Sequence, residues 1–244
     1  MIGIIGGTGL TQLAGFNITG SDWQETPWGD TSSALSFGTI GDTELVFLAR
    51  HGDPHQIPPH LINYRANLSA LKQAGVTEII AVNAVGAIHA CMSPAEIAIP
   101  DQIIDYTYDR EHTIYDGSIS GLDHVDFTHP YSEPLRRNLI LAAQQANVAS
   151  LNHGVYGATQ GPRLETAAEI KKYQNDGCDM IGMTGMPEAA LAREFAIEYA
   201  CLALSVNWCA GLSDEPITMA NIHQAIEQGM DKVYRILTAF LKAA

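Results

Sequence analysis

The run 199–206, YACLALSV, constrains this chain more than any other stretch. It holds no charged residue and does not alternate apolar with polar positions, so it does not suit a sheet with one wet face. It fits a strand covered on both sides, as in a parallel sheet packed between helices. Shorter apolar runs of the same kind lie at 2–5, 44–48, 78–82, 155–159 and 178–183. Helical spacing occupies 63–74, 133–146, 164–176, a stretch opening at Pro187, and 218–242. Strands alternating with helices predict an α/β fold with a mixed, mostly parallel twisted β-sheet flanked by helices. The 244 residues allow one domain or two by length. No Pro/Ser-rich or charge-rich linker divides them, so the expectation is one domain spanning 1–244.

Several boundaries have local causes. Gly75 stops the first helix, and Gly177 closes the one over 164–176. Ser132 caps the helix over 133–146, with Pro134 in its first turn. In the last helix Ile222, Ala225, Ile226, Met230, Val233, Ile236, Leu237 and Phe240 fall on one face, which predicts a core or subunit contact. The stretch 97–104 reads as a strand that Pro100 bends or confines to an edge. Segment 83–87 reads as a small-residue loop, 106–121 as polar loop, and 23–40 as Thr-, Ser-, Gly- and Pro-rich chain with scattered aromatics.

Composition narrows the partners. A net charge of −14 argues against nucleic acid, whose phosphate backbone requires a basic face. A small anion remains compatible, because a few arginines in a pocket override the global field. No apolar run approaches the roughly 20 residues that span a bilayer, so the expected protein is soluble. Met1 leads directly into Ile2-Gly3-Ile4-Ile5 without a basic region or cleavage site, which reads as a strand of the mature protein. Cys91, Cys178, Cys201 and Cys209 form no CxxC pair, which suits reduced thiols in a cytoplasm. His51, His55 and His60 lack helical metal-ligand spacing and have no cysteine nearby, so no metal site is expected.

Chemistry-bearing residues gather where apolar runs end. Gly6-Gly7-Thr8-Gly9 follows the first strand: a turn of N–H groups and one hydroxyl that can wrap a phosphate, or a purely structural glycine turn. Its spacing is not GxGxxG, so the dinucleotide reading is weak. Arg50-His51 ends the second buried run, and taken alone it is either a pair of ligand donors or a surface arginine beside a core histidine. Asn83-Ala84, Thr184 and Asn207 also follow strand-like runs. In open parallel sheets, ligands bind at this rim. The helix opening at Pro187 has unpaired N–H groups at its start and makes the loop around Thr184 an anion-site candidate. Glu165 lies one strand away as an acceptor or a helix-start carboxylate.

The phrases IIGGTGL, ARHGDPHQIPPHLINYRANLSALK, GPRLET and GMTGMPEAALARE occur in this order over nearly the whole chain. Together they resemble the trimeric purine nucleoside phosphorylase and methylthioadenosine phosphorylase family. The resemblance implies attack of inorganic phosphate on C1′ of a purine nucleoside, with no cofactor and no serine or cysteine nucleophile. It implies phosphate ligands at Thr8, Arg50, His51, the Ala84 N–H and Thr184. Met183 would lie against the sugar, and His124 would reach its 5′ end, often in a neighbouring subunit's pocket. Glu165 and Asn207 would read the base and assist its departure. The family further implies a homotrimer with active sites near subunit interfaces.

Glu165 and Asn207 match the members that cleave inosine and guanosine; the methylthioadenosine enzymes carry a small polar residue and an aspartate there. A carboxylate can accept from the N1–H of a 6-oxopurine, whereas adenine presents it with a lone pair. The 5′ end points to the methylthio branch, since HGxxHxxPPHxxNYRAN is that branch's phrase and Met219 offers a soft apolar contact or is a core methionine. Joining both ends gives a 5′-methylthio 6-oxopurine nucleoside as substrate. The alternatives are the adenine nucleoside, a general 6-oxopurine nucleoside, and a nucleoside-binding protein without turnover.

Overall fold

The computed structural model describes residues 1–7, 10, 15–117 and 121–243. Eleven strands form one sheet: β1 (Ile2–Gly6), β2 (Asn17–Asp22), β3 (Leu35–Ile40), β4 (Thr43–Ala49), β5 (Glu78–Ala87), β6 (Ile97–Ala98), β7 (Gln102–Asp105), β8 (Ser150–Leu151), β9 (Val155–Ala158), β10 (Met180–Gly182) and β11 (Glu198–Trp208). The helices are α1 (Tyr64–Gln73), α2 (Glu133–Gln145), α3 (Ala167–Asn175), α4 (Glu188–Glu194) and α5 (Met219–Ala243). Strands β1, β4, β5 and β11 pair in parallel, as do β10, β9 and β7. Antiparallel pairs join β2 to β3 and β3 to β4 at one edge, and β5 to β10 in the middle.

The run that opened the sequence reading is covered on both sides. In β11, Ala200, Leu202, Leu204 and Val206 enter one core with α2 and α5, while Tyr199, Cys201 and Ala203 enter a second core with α1 and α4. The two-residue period of a strand divides one apolar run between two layers. All eight face residues named for the last helix are buried in the first of these cores. Gly229 sits among them, where a Cβ would fall 2.2 Å from Leu204 Cδ1. The helix therefore approaches β11 closely at that point.

Ser132 caps its helix as expected, and Asn63 and Thr166 cap two others. Asn63 accepts from the Ala66 N–H and Ser132 from the Leu135 N–H. Thr166 and Glu169 form a capping box, so α3 starts at Ala167, later than the helical spacing from Leu164 suggests. Three readings change. Residues 83–87 continue β5 as strand, because β11 pairs with it as far as Ala87. The stretch 97–104 splits at Pro100 into β6, beside β11 and β8, and β7, beside β9. Within 23–40, residues 35–40 form β3, and β2 lies just ahead of that segment. Among the described residues, no helix is long and apolar enough to cross a membrane. Cys91, Cys178, Cys201 and Cys209 are free thiols, and all but Cys91 are buried.

Candidate active site

The sheet forks around β5. Its first half pairs with β1 up to Ala81, and its end pairs with β10 from Gly86, leaving 82–85 without a strand partner on that edge. A cleft of about 250 Å³ opens at this gap. Arg50, His51, Ala84, Glu165, Met183, Thr184, Asn207 and Met219 all line it. The Val82 carbonyl points to the open edge, where it accepts from Arg50. Backbone groups of alternate strand residues share a direction, so the Ala84 N–H faces the same edge.

Arg50 is completely buried. Its Nε donates to Glu188 Oε2 at 2.6 Å and its Nη2 to Glu188 Oε1 at 2.7 Å, a bidentate pair. Nη2 also donates to Asn83 Oδ1 and Nη1 to the Val82 carbonyl. A guanidinium has five N–H donors, so one on Nη1 is left. Gly7 stands beside it, where a Cβ would come within 2.9 Å of Nη1, and its missing side chain keeps that donor open to the cleft. Burial works against the charge on Arg50, and the Glu188 carboxylate overcomes it and holds the guanidinium pKa above its ordinary value.

Asn83 carries this order to Thr184. Arg50 can only donate, so the Asn83 carboxamide must turn its oxygen to Arg50 and its NH₂ to Thr184 Oγ1 at 3.1 Å. Thr184 accepts there, and its own O–H remains to donate into the cleft. The anion-site candidate around Thr184 thus keeps Thr184 in the cleft, while the first turn of the following helix does not reach it. α4 begins at Glu188, whose carboxylate is turned to Arg50, and none of residues 185–189 lines the cleft.

His51 departs from the expectation of a simple donor. Its Nδ1 lies 2.8 Å from the Ile57 carbonyl, which can only accept, so Nδ1 carries the proton. Burial and the neighbouring Arg50 charge lower its pKa to about 4, against a smaller raising effect of the Ile57 carbonyl. At neutral pH the ring is uncharged, and Nε2 presents a lone pair that suits the P–OH of a hydrogen phosphate.

Also lining the cleft is Glu165, whose Oε1 accepts from Thr159 Oγ1 at 2.7 Å, so that Oε2 is the carboxylate oxygen left for a ligand. Asn207 Nδ2 donates to the Trp208 carbonyl at 2.7 Å, which fixes the direction of the amide. One N–H and Oδ1 remain for a ligand. A register shift between Ser205 and Asn207 re-aims the end of β11 at this point. Apolar residues Leu164, Ile217, Met219 and Ile222 also line the cleft, with the exposed Leu164 and Met219 forming its outer lip. Met219 is 60% exposed and so is a rim residue rather than a core methionine.

His124 is exposed and does not line the cleft of its own chain. Thr8 lies outside the described residues. Among the described residues, no group of three or more His, Cys, Asp or Glu side chains could hold a metal. The sequence reading missed Glu188, Thr159 and the directional role of Asn83. Glu188 carried one signal, a carboxylate inside the apolar stretch MPEAALA.

Residues 1–242 match the family model of the phosphorylase superfamily. The chain belongs to this superfamily. A probable S-methyl-5′-thioinosine phosphorylase of Pseudomonas syringae is 53% identical over 241 residues, covering 99% of this chain and 98% of the relative. A 6-oxopurine nucleoside phosphorylase of Pyrococcus furiosus is 42% identical, covering 98% and 91%. The fold also matches methylthioadenosine phosphorylase from Schistosoma mansoni, solved in complex with adenine. That match has a TM-score of 0.95 at 31% identity, over 99% of this chain and 91% of that one. In superfamily terms this chain is a nucleoside phosphorylase, a pentosyltransferase, built as one α/β unit.

Proposed function

We propose that this phosphorylase cleaves the N-glycosidic bond of S-methyl-5′-thioinosine with inorganic phosphate, giving hypoxanthine and 5-methylthioribose 1-phosphate. The observation that carries the reading is that two sets of hydrogen-bonding groups line one cleft. Arg50, His51, Ala84 and Thr184 form the set suited to phosphate, and Glu165 and Asn207 the set suited to the base. A phosphate oxygen attacks C1′ as the C1′–N9 bond breaks and its electron pair leaves with the base. Positioned phosphate converts a dilute encounter into an oriented one. The remaining Arg50 N–H and the Thr184 O–H bind the nucleophile, with Thr8 as a further ligand. Glu165 accepts from N1–H, and Asn207 stabilises the negative charge gathering on the base.

The 53% identity to a probable methylthioinosine phosphorylase supports this substrate, and the apolar lip at Met219 suits a methylthio group. Two close readings remain. The 6-oxopurine relative favours a broader oxopurine range, and the adenine-bound neighbour favours methylthioadenosine. The working form is a cytoplasmic homotrimer in which the exposed His124 serves a neighbouring subunit's sugar site. Phosphate is a co-substrate, and the reaction uses no cofactor. Phosphate-dependent kinetics on methylthioinosine, methylthioadenosine and inosine test the reading. The expected order puts methylthioinosine first in kcat/KM, and a tenfold preference for the adenine nucleoside overturns it. Nucleoside binding without phosphate-dependent base release would identify a binding protein instead.

A further inference from the structure

Beyond the paired ends of β9 and β10, no ladder among the described residues joins segments 159–165 and 183–186. The last backbone-to-backbone link is the Thr159 N–H to the Gly182 carbonyl, at 2.8 Å. After it, 159–165 runs to the base-side carboxylate Glu165, and 183–186 carries Met183 and Thr184. Arg110, from the loop after β7, spans the gap. Its Nη2 donates to the Thr159 and Gln160 carbonyls at 3.2 and 2.8 Å, and its Nε to Gln160 Oε1 at 3.1 Å. Its Nη1 donates to the Met183 and Met186 carbonyls at 2.8 and 2.6 Å, and to the Tyr64 hydroxyl at 3.2 Å. The guanidinium carbon lies 5.6 Å from the centre of the Tyr64 ring.

We propose that Arg110 is a positioning residue that sets the distance between the base-reading wall and the phosphate-side wall. Four of its partners are main-chain carbonyls, two from each wall. Among the described residues no carboxylate forms an ion pair with it. Its charge is therefore met by oriented dipoles, and the flat fork of five donors matches several acceptors at fixed angles. Lysine offers three donors around one point and cannot reach both walls in this way. Arg110 does not line the cleft, so it acts through the loops that it joins.

A spacing device has a particular kinetic signature. Each wall keeps its own ligands when the device is lost: Glu165 keeps Thr159, and Thr184 keeps Asn83. Free hypoxanthine and free phosphate should then bind almost as before. Only the reaction that needs both in register should suffer, because a misplacement of about 1 Å can cost on the order of 100-fold in rate.

The inference rests on the phosphorolysis reading, and full-length parent, Arg110→Lys and Arg110→Ala proteins test it. The expected result is a kcat at least tenfold lower in both variants, with Kd for hypoxanthine and for phosphate each within threefold of the parent. Millimolar ethylguanidinium should raise the turnover of the Ala variant and leave the parent unchanged. Should the Ala variant not fold, the Lys variant decides alone. A Lys variant within threefold of the parent kcat overturns the proposal, as does a loss of hypoxanthine or phosphate affinity in step with kcat. A parent protein that releases no base in the presence of phosphate overturns the phosphorolysis reading itself, a different result from an active parent with an active Lys variant.

Discussion

Replacing Glu188 with Gln isolates the pair on which the phosphate side is built. The carboxylate is fully buried, receives two hydrogen bonds from Arg50 and accepts a third from the Tyr199 hydroxyl at 2.8 Å. Glutamine keeps the shape, but it removes the charge and turns an NH₂ towards a donor. Breaking one side of a buried pair typically costs ~3–5 kcal/mol, because the other charge stays behind unpaired. In a chain of this size each 1 kcal/mol shifts the unfolding midpoint by about 2–4 °C, so the expected fall is on the order of 10 °C. Phosphate bound at the free Nη1 N–H can then supply the negative charge that Arg50 has lost. Saturating phosphate should therefore raise the midpoint of Glu188→Gln by more than it raises the parent's, and thermal unfolding with and without phosphate measures both. Replacing the pair together, Arg50→Met with Glu188→Leu, should recover much of the stability while phosphorolysis stays lost. A Glu188→Gln midpoint within 2 °C of the parent, with an equal phosphate shift in both, would refute this reasoning.

Three further outcomes follow from other contacts. Thr159→Val removes the donor on Glu165; hydrogen bonds to charged groups are worth ~1.5–3 kcal/mol, so the kcat/KM ratio of methylthioinosine to methylthioadenosine should narrow about tenfold or more. An unchanged ratio contradicts the role given to Thr159. His51 titrates near 6.5 when unfolded and about 4 when folded, so the unfolded chain binds the extra proton between these values. Stability fully present above pH 6.5 is lost as pH falls towards 4, by up to ~3 kcal/mol, and His51→Gln should flatten the dependence of the urea midpoint over that window. Gly229→Ala places a methyl against Leu204 and should lower stability by ~1–3 kcal/mol, partly restored by Leu204→Val; a rise in midpoint for the single variant contradicts the close approach.

The reach of the sequence differs by element for physical reasons. The two-sided burial of β11 and the packed face of α5 were readable because periodicity is a local property. The convergence of Arg50, Ala84, Thr184 and Asn207 was readable because each follows an apolar run, and strand ends meet at the rim of a sheet. What escaped depends on direction. Residues 83–87 look like a loop because they are mostly small and open on Asn83, yet pairing with β11 holds them as strand. Glu188 opens α4, and only the fold brings it to Arg50, across 138 positions of sequence. Arg110 sits in a polar loop with no pattern, and its partners are carbonyls, which sequence does not mark.

The base preference of Glu165→Ser with Asn207→Asp, measured beside the parent on methylthioinosine and methylthioadenosine at saturating phosphate, tests the central claim most directly. The account predicts that the ratio of kcat/KM moves towards the adenine nucleoside by tenfold or more. A double variant that retains the parent's ratio would show that these two side chains do not read the purine.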